Sequence, residues 1–190
     1  MTRHNPWLIW VKPIIIFLLT IQINPVVGQI DGSGVWSDVP KSSVRTSHKK
    51  KYLPSRYRTL KVNLPVLRRV LAKAISEEEV SIREASAIIS LPLPDGSFAR
   101  FRFAESSVMA PELAAQYPDI NSYAGQGLDQ SSVSTRFDMS PAGFRAVIDS
   151  PEGTVYIDPC GSGDSLHYIS YYKHNLPGSK RIFEVPTKKN

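Results

Sequence analysis

One cysteine, Cys160, stands in 190 residues, so no intramolecular disulfide can form and the fold must hold by burial alone. Histidine is almost as scarce, with only His4, His48, His167 and His174. No two are four apart, which excludes the helical pair of imidazoles that a zinc-protease site requires. His167 and His174 are seven apart around a tyrosine-rich stretch, a spacing that puts them on opposite faces of a regular strand. Serine chemistry lacks its frame too. Gly161-Ser162-Gly163-Asp164-Ser165 does not have the spacing of a nucleophile elbow between strand and helix. Gly125-Gln126-Gly127 is too short for a phosphate-binding fingerprint. Asp158 and Asp164 lack the regular acidic ladder of a calcium loop. The sequence therefore offers no catalytic residues, no metal ligands and no cofactor-binding residues.

Long apolar runs are missing as well, apart from one at the N-terminus. Arg3, His4 and Lys12 precede the run Pro13-Ile14-Ile15-Ile16-Phe17-Leu18-Leu19-Thr20-Ile21, and Asn24-Pro25 then interrupts it. The run is shorter than the roughly 20 residues of a bilayer span. Small residues at Val26-Val27-Gly28 complete the pattern of a signal peptide over 1–28, with Gln29 as the mature N-terminus. The expectation is a secreted, periplasmic or cell-surface protein with no membrane attachment after cleavage.

What is present is an ordinary globular composition, 42% hydrophobic and 21% charged. The formal charge of +6 is unevenly spread. Lys41, Arg45, Lys49, Lys50, Lys51, Arg56, Arg58 and Lys61 are eight positive charges with no acid among them, and the rest of the chain is net −2. In an exported chain such a run reads as a solvated linker rather than a nucleic-acid surface, and no nucleic-acid partner is expected. Residues 29–56, rich in Gly, Ser, Lys and Pro, read as a basic linker or arm. Trp36 is the exception, because an aromatic in a polar arm usually docks on the body of the domain.

From Tyr57 the pattern is that of a folded unit extending to residue 176, with a polar tail over 177–190. Tyr57–Val62 alternates as a strand, and Asn63 with Pro65 can open a helix whose apolar face is Leu67, Val70, Leu71 and Ala74. That helix is expected to end near Ile75. Ala87–Leu91 and Phe98–Glu105 read as strands joined by the Pro94-Asp95-Gly96 turn, and Pro111–Tyr117 as a short helix. Val133–Asp138, Phe144–Asp149, Thr154–Asp158 and His167–Tyr172 complete a series of short strands separated by Pro/Gly turns. The predicted class is α+β and β-dominated: an antiparallel meander with one or two short helices in a single domain.

Several strings in this stretch carry a family resemblance. Leu91-Pro92-Leu93-Pro94-Asp95-Gly96, Val108-Met109-Ala110-Pro111-Glu112-Leu113-Ala114-Ala115, Tyr117-Pro118-Asp119-Ile120 and Tyr123-Ala124-Gly125-Gln126-Gly127 come first. Thr154-Val155-Tyr156-Ile157-Asp158-Pro159 and Tyr168-Ile169-Ser170-Tyr171-Tyr172 follow, and Trp36-Ser37-Asp38-Val39-Pro40 with Tyr57-Arg58-Thr59-Leu60 matches the opening. Over about residues 36 to 175 the chain resembles the N-terminal, prodomain-like region of secreted reprolysin-like zinc metallopeptidases of Bacteroidota.

The resemblance implies a non-catalytic folding aid or inhibitor whose partner is a metallopeptidase catalytic domain, in cis or in trans. Zinc is implied only for that domain, since the catalytic motif is lacking here. A lone cysteine in the prodomain of an exported zinc protease also suggests a cysteine switch for Cys160, its thiolate occupying the open zinc position from the Asp158-Pro159-Cys160-Gly161 turn, although the resemblance itself implies no cysteine at that position. Tyr123, Gln126, Tyr168, Tyr171 and Tyr172 are the candidate partner contacts, with core packing as the competing role for the tyrosines. The alternative function is a free-standing secreted β-rich binding or adhesion module, which a row of aromatics on an exposed sheet face would favour.

Overall fold

The computed structural model describes residues 32–44, 53–161 and 163–178. The expected signal peptide, the Lys49–Lys51 triplet and most of the basic tail lie outside the described residues. Among the described residues, no helix is long and apolar enough to cross a membrane.

Alternation of apolar and polar residues produces most of the strands. Nine are present: β1 (Trp36–Asp38), β2 (Arg58–Val62), β3 (Ile88–Pro92), β4 (Phe98–Glu105), β5 (Asn121–Gly127), β6 (Ser134–Ser140), β7 (Gly143–Asp149), β8 (Val155–Pro159) and β9 (His167–Tyr172). They form one antiparallel sheet in the order β1-β2-β9-β8-β7-β6-β5-β4-β3. From β3 to β9 each strand pairs with its successor, so this part is a simple meander; β2 then joins the far side of β9, and β1 joins β2. The sheet curls into a nearly closed barrel. The β-dominated single domain expected from the sequence is what forms.

The inward residues make one core. Leu60, Phe101, Phe103, Phe137, Phe144, Ile148, Ile157 and Tyr168 are buried together. Trp36 lies among them, edge-on to Phe144 and Tyr168 with ring centroids 5.5 and 5.4 Å away. Each such side chain contributes about 2–3 kcal/mol by leaving water. Trp36 brings β1 with it, so the barrel recruits three residues of the segment read as an arm. One aromatic burying its whole surface outweighs the polar composition around it.

Helix α1 (Leu64–Leu71) caps one end of the barrel with Leu67 and Leu71 buried. Asn63 is its N-cap, accepting from the Val66 amide at 3.4 Å, and Pro65 occupies the first turn, where its missing N–H costs nothing. The helix stops at Leu71, four residues short of the expected end. Ile75 and Glu77 exchange backbone hydrogen bonds with Glu105 instead, extending the edge of β4 beyond β3.

β5 had no clear sequence signal, and its packing shows why. Gly125 faces inward beside Phe101, and a Cβ placed there would stand 2.8 Å from Thr135 Cγ2 and 3.2 Å from the Arg102 carbonyl oxygen. The strand is therefore built from small residues around Tyr123, without the alternation that marks its neighbours.

Side chains rather than a backbone ladder bridge the remaining gap. Ser170 Oγ on β9 donates to the Pro92 carbonyl on β3 at 2.8 Å. Arg58 on β2, only 8% exposed, donates through Nη1 to the carbonyls of Leu93 (3.0 Å) and Ser97 (2.7 Å). Its Nε and Nη2 hold both carboxylate oxygens of Asp38 on β1 at 2.6 and 2.9 Å. The guanidinium also lies 4.5 Å from the Phe98 ring centroid. One arginine thus joins β1, β2 and the β3–β4 turn.

Candidate functional site

Most of the side chains proposed as partner contacts are placed in or against the core. Tyr123 is buried, stacked on Phe137 with centroids 5.1 Å apart and edge-on to Phe103. Burial, and secondarily the charge of Glu105, push its hydroxyl up to about 12. Tyr168 is fully buried; its hydroxyl accepts from the Phe144 amide (3.1 Å) and donates to the Ser165 carbonyl (3.2 Å). It ties the β6–β7 turn to the β8–β9 loop. Tyr171, also buried, donates to Asp158 Oδ2 at 2.6 Å. Burial and that bond together raise its pKa strongly. Gln126 and Tyr172 are half-buried. Gln126 donates to the Ser131 and Val133 carbonyls, bracing the β5–β6 loop, and Tyr172 stacks on His174.

Cys160 differs from the exposed turn expected of a switch ligand. It is buried against Ile169 and Tyr171 in a small cluster outside the main core, and its amide donates to the His167 carbonyl at 2.8 Å. Its side chain is not presented at the surface as the expected turn ligand would be. The driving force is apolar: cysteine behaves as a small hydrophobe, and the cluster buries it. His174 lies in a short 3-10 turn after β9 rather than on a strand face. His167 pairs through Nδ1 with Asp164 Oδ2 at 3.0 Å, while Asp164 Oδ1 also accepts from the Leu166 and His167 amides. Those amide bonds hold the Asp164 carboxyl below its usual range despite partial burial. Asp158 is used by Tyr171 and by Arg145 at 3.6 Å. Among the described residues, no group of three or more His, Cys, Asp or Glu side chains is gathered as a metal site.

Comparison with known proteins found no matching family model, no matching curated relative and no matching solved structure.

The feature that the core does not explain is the excursion between β4 and β5. Its base is pinned: the Ser106 amide donates to the Ser122 carbonyl at 2.9 Å, and Ser106 Oγ donates to Glu77 Oε1 at 2.6 Å. Above that base stands α2 (Pro111–Gln116), with a proline in its first turn and Pro118 just beyond its end. Six residues form too short a helix to persist without tertiary support, yet Leu113 within it and apolar residues on either side of it face water. Val108 is 72% exposed, Tyr117 51%, Leu113 44% and Ile120 37%. Beside the excursion, at the end of the barrel that α1 caps, lies a groove of about 630 Å³ lined by Arg68, Leu71, Ala74, Pro118, Tyr123 and Met139, among others. Exposed apolar residues scattered singly are ordinary; four within 13 positions, beside a groove, make this the candidate surface. The sequence signal was available, since these residues lie in two of the quoted motif strings, but the reading of Pro111–Tyr117 as a short helix gave no face to it.

Proposed function

We propose that the chain is a non-catalytic, prodomain-like companion of a secreted zinc metallopeptidase domain, acting as a folding aid or inhibitor of it. The observation that carries this reading is the α2 excursion. The strings Val108–Ala115 and Tyr117–Ile120, which resemble the N-terminal region of reprolysin-like metallopeptidases, are also where the barrel leaves Val108, Leu113, Tyr117 and Ile120 exposed. Residues without a packing role in this domain have a use if another domain covers them.

Physically, the excursion and its groove supply apolar area for a catalytic domain to bury, and the rigid barrel keeps that area presented. Interface cores are enriched in residues such as Tyr and Met, and Tyr117 and Met139 lie in this region. Covering the partner's cleft would exclude substrate without any chemistry by this chain. Zinc belongs to the partner in this reading.

The test is inhibition in trans. The purified chain is titrated into a reprolysin-type catalytic domain cleaving a fluorogenic peptide, and the refolding yield of that domain is followed in parallel. The proposal expects saturable inhibition or a raised yield, weakened by Leu113→Glu. No effect on either quantity at large molar excess would overturn it. The adhesion-module alternative draws less support here: among the described residues Tyr117 is the one exposed aromatic, and it lies on the excursion rather than on a sheet face.

A further inference from the structure

At the barrel end opposite α1 lies a second cleft, of about 370 Å³, lined by Lys41, Ser55, Arg56, Tyr57, Pro94, Asp95, Tyr172, His174 and Asn175. Its walls come from four separate parts of the chain, and each is fixed. The short 3-10 turn Lys41–Ser43 places Lys41 Nζ 4.1 Å from the Tyr57 ring centroid. The Ser55 amide and hydroxyl both donate to the Asn175 carbonyl, at 2.9 and 3.3 Å. Opposite them, the Pro94-Asp95 turn is held by Arg58 through the Leu93 and Ser97 carbonyls. The Tyr172 and His174 rings stack 5.1 Å apart at 11°.

Three basic side chains therefore converge with two aromatic rings and a single carboxylate. Asp95 Oδ1 takes both Ser97 bonds, from the amide at 2.9 Å and the hydroxyl at 2.7 Å, which leaves Oδ2 to accept from a ligand. We infer that this cleft binds an acidic saccharide, a sugar unit carrying a carboxylate or sulfate. Lys41, Arg56 and His174 take the anionic group. Asp95 and Asn175 take ring hydroxyls, and the Tyr57 and Tyr172 rings offer apolar walls for a sugar face. The volume lies in the range of small-ligand sites and is too small for a nucleic-acid duplex. Walls fixed before binding spare the ligand the cost of ordering them. The inference is independent of the metallopeptidase partnership, since the two clefts lie at opposite ends of the barrel.

The test is calorimetric titration of the full chain with three probes: a sulfated uronate–hexosamine disaccharide, its desulfated and carboxyl-reduced neutral counterpart, and sodium sulfate. Saturable binding of the acidic disaccharide is expected, at least tenfold tighter than either other probe. The double variant Lys41→Ala/Arg56→Ala is expected to weaken it about tenfold, as loss of two exposed charge contacts implies. The double variant Arg69→Ala/Lys73→Ala, at exposed positions on α1 and just beyond its end, should leave it unchanged. Because Lys41 and Arg56 are exposed, the variants should keep the wild-type denaturation midpoint; if one does not, Arg56→Gln alone replaces it. Absence of binding, equal binding of the neutral sugar, equal binding of sulfate, or equal loss in the α1 variant would each overturn the inference.

Discussion

Replacing Arg58 by methionine removes the one residue that holds three separate parts of the barrel. The substitution keeps the apolar length of the side chain and deletes five donors in a fixed fork. Asp38, whose side chain is 25% exposed, loses two charge-assisted bonds. The Leu93 and Ser97 carbonyls lose theirs, and Phe98 loses its cation contact. Breaking a buried ion pair from one side costs about 3–5 kcal/mol when both charges are fully enclosed. Partial solvation of Asp38 moves the expectation to the lower end, about 3 kcal/mol, or roughly 10 °C in Tm for a domain of this size. Arg58→Lys keeps the charge but not the fork and should cost about half as much. The assay is urea denaturation followed by tryptophan fluorescence, reporting on Trp36 in the core. A double-mutant cycle with Asp38→Ala should then show a coupling energy above about 1 kcal/mol. If Arg58→Met unfolds within about 0.5 kcal/mol of the wild type, or if the cycle is additive, the arginine does not close the barrel and the reasoning fails.

Three further expectations follow from the same packing. Gly143 has φ = 105°, and a Cβ there would stand 3.0 Å from the Tyr168 hydroxyl; Gly143→Ala should therefore destabilise by about 1–3 kcal/mol, measured by the denaturation midpoint. Tyr123 has its pKa raised above that of an unfolded tyrosine, to about 12, and Tyr171 is raised as well. The folded chain keeps these protons while the unfolded chain releases them, so their stabilisation is complete below pH about 10 and is lost as pH rises toward 12. Tyr123→Phe should flatten that alkaline decline, and an unchanged slope would count against the burial of the ring. Val108→Glu and Leu113→Glu, at exposed positions, should change stability by no more than about 0.5 kcal/mol in the same assay.

Local chemistry was legible from the sequence wherever one strand face was apolar and the other polar. Phe101 and Phe103 against Arg100 and Arg102 give β4 its bounds, and Asn63 with Pro65 gives the start of α1. Features that depend on distant neighbours were not. Gly125 is explained only by Thr135 and the Arg102 backbone across the sheet, so β5 had no periodic signal. Arg58 read as one member of a basic run; that it turns inward beside Leu60 follows from alternation, but its partners on Asp38, Leu93 and Ser97 arise only from curvature. Tyrosines present the same ambiguity at the site. A Tyr-rich strand is compatible with a core or a surface, and neighbouring rings decided for the core at Tyr123 and Tyr168. The α2 strings were picked out by resemblance, whereas their exposure is a property of the fold: β4 and β5 pair directly, and the segment between them has no room inside.

Hydrogen–deuterium exchange on the chain mixed with a reprolysin-type catalytic domain tests the proposed partnership most directly. The account predicts protection concentrated in residues 106–120 and along the α1 side of the groove, absent when Leu113→Glu replaces the wild type. Uniform exchange with and without the catalytic domain, or protection confined to the opposite end of the barrel, would contradict it.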